Sequence, residues 1–289
     1  MLRTFDPAKL PIPELHGLLL GAIAPRPIAL ASTMNEDGGV NLSPFSFFNV
    51  FSANPPILIF SPARRVRDNT TKDTLDNVTE TKEVCINIVN SAIVQQVSLS
   101  STEYESEVNE FLKSGLTEVP SVKIKPPRVK ESPVSMECII KEIKPLGDEG
   151  GAGILVIAEI VLFHIDDSVF TPEGKIDPLK LDPIARMGGN WYCGVSKETV
   201  FEVEKPLVRK GIGFDKLPKE IRESPILTGN DLAVPANVEE LLTINKVNLH
   251  LSSNEREALY EISIEDKHTM AQKQLILGLR SKAWAILLS

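Results

Sequence analysis

Short apolar runs rich in Ile, Val and Phe recur through the first two thirds of the chain, at 27–33, 45–51, 56–60, 84–89, 136–143 and 154–165. Each is too short for most helices and is bounded by Asn, Asp, Gly or Pro, so the pattern predicts β-strands. Asp37-Gly38, between the first two runs, is a hairpin signal. Residues 154–163 are apolar almost without interruption, as expected of a strand buried on both faces or closed into a barrel. Helical spacing lies between the strands. Leu75 and Val78 stand three apart within a helix predicted at 70–81, and Ile93, Val94 and Val97 share one face of a second at 91–101, with Ser91 as its N-cap. The segment 114–133 carries Pro120, Pro126, Pro127 and Pro133 and predicts an extended surface excursion.

The texture changes near residue 205, which divides the chain into a domain at 1–205 and a partly helical extension at 206–289. Helices are predicted there at 238–242, 254–261 and 269–288, the last from the spacing of Leu275, Leu279, Trp284 and Leu287. This tail reads as a helical appendage or as an arm packing on another subunit.

Composition narrows the partners. The 289 residues carry a formal charge of −8, which argues against nonspecific nucleic-acid binding, so any anion must be met by a local basic cluster. No apolar run reaches a membrane span, and the first residues lack the pattern of a signal peptide, so a cytoplasmic location is the default. The three cysteines, at 85, 138 and 193, are far apart and odd in number, as expected of reduced and mostly buried thiols. The four histidines show no ligand spacing, and no local metal site is expected.

Three polar clusters fall at strand ends. Arg64, Arg65 and Arg67 precede the predicted helix beside Lys72, whose free backbone N–H groups and positive dipole end suit a phosphate. A solvated charged loop is the competing reading. In the second cluster, alternation puts Ser43, Phe45, Phe47 and Asn49 on one face and Ser46 and Phe48 on the other, a surface for a planar heterocycle or simply a half-buried strand. The third, Pro25-Arg26-Pro27, is stiff and would fix Arg26 in place, or only lead into a strand.

At these residues the chain resembles the flavin reductase-like family of FMN-binding split-barrel proteins, which includes flavoredoxin. The resemblance rests on Pro25-Arg26-Pro27-Ile28-Ala29, Asn41-Leu42-Ser43-Pro44-Phe45-Ser46-Phe47, Asn54-Pro55-Pro56, Lys72-Asp73-Thr74 and Ile184-Ala185-Arg186-Met187-Gly188-Gly189, in the family's order across residues 20–192. It implies a mainly β fold with helices: a six-stranded antiparallel Greek-key split barrel carrying a C-terminal helical extension. It also implies a homodimer with FMN near the subunit interface. Carried over, the cofactor-binding residues are Arg26, Ser43, Phe45, Ser46, Phe47 and Asn49 toward the ring and ribityl chain. Arg64, Arg65, Lys72, Asp73 and Thr74 would serve the phosphate, with Arg186 reaching the site from the later motif. His164 matches a position where relatives place a histidine, as a nicotinamide contact or a satisfied strand histidine.

Such a site needs no nucleophile or triad, since NAD(P)H delivers hydride to the flavin and the protein supplies position. No Gly-x-Gly-x-x-Gly fingerprint is present, so a nicotinamide would bind without a Rossmann unit. Three functions follow: an NAD(P)H-dependent flavin oxidoreductase, an electron-transfer flavoprotein with a redox partner protein, or an FMN-binding protein acting on an unrelated small molecule. Residues 213–215, 224–225 and 227–230 resemble an extension found in one branch of the family, which could cover the flavin.

Overall fold

In the computed structural model, which describes residues 1–203, 210–241 and 249–289, the apolar runs of the first two thirds assemble into one antiparallel sheet. Its strands are β2 (Ala29–Met34), β3 (Val40–Phe45), β4 (Phe48–Ala53), β5 (Pro56–Phe60), β6 (Glu83–Ile88), β9 (Val134–Pro145) and β10 (Ile154–Ile165). Their order across the sheet is β3-β2-β6-β9-β10-β5-β4. β1 (Arg26–Pro27), β11 (Ile184–Gly188) and β12 (Trp191–Gly194) form a small second sheet, and β7 (Glu118–Val119) pairs with β8 (Arg128–Val129).

The order has a geometric consequence. β3 and β4 are opposite edges of the sheet, yet only Ser46 and Phe47 separate them. Laid flat, seven strands put their edges about 29 Å apart, at ~4.8 Å per strand. The three Cα steps from Phe45 to Phe48 reach at most about 11 Å. The sheet must therefore curl until its edges meet, and the fold is a split barrel. Seven strands form it where six were expected: β3, at 40–45, lies almost wholly ahead of the run at 45–51, which is not one strand. It ends β3 at Phe45 and restarts as β4 at Phe48, so the alternation expected over Ser43 to Asn49 breaks at the joint.

Side-chain burial explains the closure. Ala29, Ala31, Phe45, Leu58, Phe60, Ile86, Met136, Val156 and Ala158 point into the barrel, with Leu75 and Val78 of α2 (Asp73–Thr81) sealing it. Each large side chain buried here contributes about 1.5–3 kcal/mol. On the other face Leu30, Leu42, Val89, Val97, Phe111 and Val129 form a second cluster under α3 (Val94–Leu99) and α4 (Glu110–Ser114). β10 is buried on one face only: Ile154, Val156, Ala158 and Ile160 enter the barrel core, whereas the side chains between them are half-buried and Phe163 is exposed, so its continuous apolarity reflects barrel closure and not burial on both faces. At the Asp37-Gly38 turn, Gly38 takes φ +89° and the Asn35 carboxamide accepts the Gly39 N–H at 2.6 Å.

Several expectations are corrected. The segment at 114–133 is not a free excursion. The buried Glu137 carboxylate accepts the Val122 and Lys123 N–H groups at 2.7 and 2.6 Å, and Asn87 accepts that of Val129 at 3.0 Å. Ser91 does not cap α3; its hydroxyl donates to the Asp182 carboxylate. An unforeseen helix, α1 (Ile12–Ala22), packs against β11, and Gly188 meets it closely: a Cβ there would stand 3.1 Å from the Leu20 carbonyl.

The chain divides into two compact units, Met1–Phe201 and Glu202–Ser289. The second is helical. Thr228 and Ser252 cap α5 (Gly229–Ala236) and α6 (Ser253–Tyr260) in reciprocal boxes with Asp231 and Glu255. The helix predicted at 269–288 is two, α7 (Ile264–Ile276) and α8 (Arg280–Leu287), parted where Gly278 adopts φ +74°. Leu227, Leu232, Leu259, Ala271 and Trp284 fill its own core. Of the helix predicted at 238–242, residues 238–241 are not helical and residue 242 lies outside the described residues. Among the described residues no helix is long and apolar enough to cross a membrane, and no group of acidic, His and Cys side chains is placed to hold a metal. All three cysteines are free; Cys85 is buried and its thiol is pushed up to about 12, chiefly by desolvation.

Candidate functional site

Two adjoining clefts run beside β3. Pro44 and Ser46, from the end of β3 and the joint, line the larger, of about 190 Å³, with Ile28, Val97, Ser98, Ser101, Arg186 and Tyr192. Asn41 and Ser43 line the smaller, of about 30 Å³, with Arg65, Lys72, Asp73, Thr74, Glu110 and the run from Ser100 to Tyr104. Ser101 belongs to both, so the pair makes one trough with a polar end at α2 and a deeper end at β11–β12.

The polar end is a dense charge network. Thr74 donates to the Asn41 carboxamide oxygen at 2.7 Å, and Asn41 donates in turn to Glu110 at 3.1 Å. Glu110 also accepts the Leu42 N–H at 2.9 Å; burial raises its carboxyl above the ordinary range. Lys72 sits at the N-cap of α2, which has no side-chain cap, and its ammonium stands 5.1 Å over the Phe45 ring. Among the described residues it has no carboxylate within 4.0 Å. Desolvation, then the neighbouring Arg65 charge, lowers its pKa. Arg65 donates to the Thr70 hydroxyl at 2.8 Å, to the Thr71 carbonyl and to Glu103 at 3.1 Å. Glu103 bridges onward to Arg67 at 3.1 Å; hydrogen bonds from Arg67 and Arg65 hold its carboxyl below the ordinary range.

The deeper end holds two arginines. β1 and β11 place Arg26 and Arg186 directly opposite each other. Arg26, 6% exposed, donates to the Leu20 and Ile23 carbonyls at the end of α1, and its Nε reaches the Ser46 hydroxyl at 3.4 Å. Arg186 lies over the Tyr192 ring, 4.5 Å from its centroid, and donates to the Gly189 carbonyl at 2.7 Å.

Of the residues marked in the sequence, Ser43, Ser46, Arg65, Lys72, Asp73, Thr74 and Arg186 line the trough. Arg26 stands behind Ser46 as the anchor of α1. Phe45 faces the barrel interior, 5.5 Å from Phe60. Phe47 and Asn49 lie outside both clefts, Phe47 with its ring edge toward His16. Arg64 turns away to Asn69, donating at 2.6 Å. His164 is no part of the trough either: its Nε2 is 2.6 Å from the buried Glu137 carboxylate, which makes it a satisfied strand histidine. The residues not foreseen are Glu103, Glu110, Tyr192 and the hydroxyls of Ser98, Ser100, Ser101 and Thr102. The hydroxyl-rich run at 98–102, at the end of the helix expected at 91–101, is the one local signal for them.

Comparison with known proteins agrees with this architecture. Residues 21–180 match the model of the flavin reductase like domain. An uncharacterized protein of Aquifex aeolicus is 39% identical over 189 residues, 65% of this chain and 94% of its own length. The structure of nitrilotriacetate monooxygenase component B from Bacillus cereus superposes with a TM-score of 0.65 at 29% identity, over 70% of this chain and 99% of that one. The 2-nitrobenzoate 2-nitroreductase of Pseudomonas fluorescens does so with a TM-score of 0.63 at 25% identity, over 73% of this chain and 100% of that one. With the fold, the trough and the matched residues in agreement, this chain belongs to the flavin reductase-like family of split-barrel proteins.

Proposed function

We propose that this protein binds FMN in the trough and works as an NAD(P)H-dependent flavin oxidoreductase. The observation that carries the reading is the uncapped N-terminus of α2 set beside Lys72, Arg65, Thr74 and Ser43, one strand residue away from the cleft at Pro44 and Ser46. The donor set fits a flavin nucleotide: cations, hydroxyls and free helix N–H groups for a phosphate, then a cleft walled by Ile28, Pro44 and Val97 for an apolar ring face. When bound, FMN supplies hydride and electron transfer that no side chain here can perform. The chain's own residues bind, orient and exclude water. Lys72 and Thr74 hold the anionic end, and Arg65 joins them once Glu103 releases its guanidinium. Ser46, fixed by Arg26, presents a hydroxyl to the ring edge.

A homodimer in the cytoplasm completes the reading. Val50 and Phe51 on edge strand β4 are each 63% exposed and Phe47 is close by, an apolar strip that a second copy would cover. Sedimentation velocity on the purified chain tests this part: a monomer at micromolar concentration removes it.

The function is tested by reconstituting the protein with FMN, removing oxygen and timing the bleaching of the flavin by NADH and by NADPH. Bound flavin that neither nucleotide reduces leaves an electron-transfer role with a redox partner protein, or an action on a separate small molecule. Failure to bind FMN at all refutes the assignment.

A further inference from the structure

The arginines at the deeper end of the trough are more charge than that end can use by itself. Like charges directly opposite on an antiparallel pair destabilise it, and a buried guanidinium normally meets an anion. Arg26 and Arg186 are such a pair, yet among the described residues neither lies within 4.0 Å of a carboxylate. Arg26 spends its donors on the carboxyl end of α1, whose dipole supplies only about half a negative charge. Arg186 donates to a neutral carbonyl and stacks on a neutral ring. Burial, and then the charge of Arg186, lowers the pKa of Arg26, as expected of two cations held together without a counter-ion. The surplus is local, since the whole chain carries a charge of −8. Ser46, Ser98 and Ser101 add hydroxyls to the same cleft.

We infer that Arg186 is the counter-charge for the reduced flavin ring, so that the Arg26–Arg186 couple makes the trough bind reduced FMN more tightly than oxidised FMN and raises the flavin's midpoint potential. The inference rests on the FMN reading above. A phosphate at Lys72 leaves the ring to extend past Ser101 into the cleft that Arg186 lines. Uptake of two electrons and one proton, supplied together as hydride by a nicotinamide, leaves the ring with one net negative charge. That charge is absent before reduction, so a cation beside the ring favours the reduced form. Arg26 is the positioning residue: it anchors β1 on α1, and β1 holds β11 in register.

The test is a redox titration of the FMN-loaded protein against a reference dye, with dissociation constants for oxidised and reduced FMN. Arg186→Gln is expected to weaken reduced FMN by at least about tenfold while leaving oxidised FMN within about twofold. That ratio lowers the midpoint by about 30 mV, and Arg186→Lys restores most of it. Equal weakening of both forms, or an unchanged midpoint, overturns the inference and leaves FMN binding intact. Absence of FMN binding by the unaltered protein overturns both. If Arg186→Gln does not fold, the unaltered protein still decides. The charged and titratable groups around this cleft are Arg26, Arg186 and Tyr192, and the proton uptake of the ring itself is read in mildly acidic solution. A ring held anionic takes up one proton per two electrons, so the midpoint falls by about 30 mV per pH unit there. A slope of about 59 mV per pH unit means a neutral reduced ring and refutes the assignment.

Discussion

Replacing Glu137 removes the anchor of the 120–125 segment, and its cost can be worked from the contacts. The carboxylate is fully buried on β9 and accepts the Val122 N–H at 2.7 Å, the Lys123 N–H at 2.6 Å and the His164 ring at 2.6 Å. Hydrogen bonds to a charged group contribute about 1.5–3 kcal/mol each, but they share one carboxylate and do not add. Removing one partner of a buried pair costs about 3–5 kcal/mol, and this is the loss expected for Glu137→Ala. Against a domain stability of about 5–15 kcal/mol, such a loss leaves the barrel near its threshold. Glu137→Gln keeps the shape and one accepting oxygen, and should lose about 1.5–3 kcal/mol. Burial raises the pKa of this carboxyl, but the two N–H donors and His164 outweigh it, and the net lies below the ordinary 4.5. A folded-state pKa that is depressed gives stability present above the ordinary value and lost as pH falls through the folded one. The difference between the unaltered protein and Glu137→Gln should therefore shrink as pH falls below about 4.5. Urea unfolding gives the free energies, and native-state hydrogen exchange at the Val122 and Lys123 amides reports the anchor itself. A loss under about 1 kcal/mol for Glu137→Ala with both amides still protected would falsify the reasoning.

Three further outcomes are expected. The double variant Lys72→Ala, Arg65→Ala should weaken FMN at least about tenfold, or ~1.4 kcal/mol, by flavin fluorescence titration; an unchanged dissociation constant moves the phosphate elsewhere. Glu103→Gln should act in the opposite sense and tighten FMN severalfold, since it frees the Arg65 guanidinium; weaker binding would show that Glu103 supports the site rather than competes for it. Gly188→Ala, at φ +110° and with its new Cβ 3.1 Å from the Leu20 carbonyl, should cost about 1–3 kcal/mol in thermal unfolding, and a neutral result would mean that α1 shifts freely on β11.

β5 and β10 were legible to the residue, because their apolar runs are bracketed by Pro56 and Ser61 and by Gly153 and Asp166. The break at Ser46–Phe47 was not, since alternation reports which face a side chain takes and not which sheet edge the chain has reached. The same limit hid the orientation of Phe45. α1 escaped notice because Leu18, Leu19 and Leu20 are consecutive and mask any 3.6-residue period. In the trough, Ser43, Lys72 and Thr74 belong to short local motifs, whereas Glu103, Glu110 and Tyr192 arrive through long-range packing. Adjacent Arg64 and Arg65 take opposite partners, Asn69 and Glu103, a choice made by loop geometry that no spacing encodes.

The two-residue joint at Ser46–Phe47 also governs how this chain can be cut and rejoined. A barrel whose rim is stitched by so short a link has both of its raw sheet edges tethered at one point. A circular permutant opened between Phe45 and Phe48 keeps every hairpin and crossover intact but frees those edges to splay. Unpaired strand edges recruit other chains, so such a permutant should aggregate from a folded-like state, while one opened at the Asp37-Gly38 turn, far from the joint, should stay dispersed.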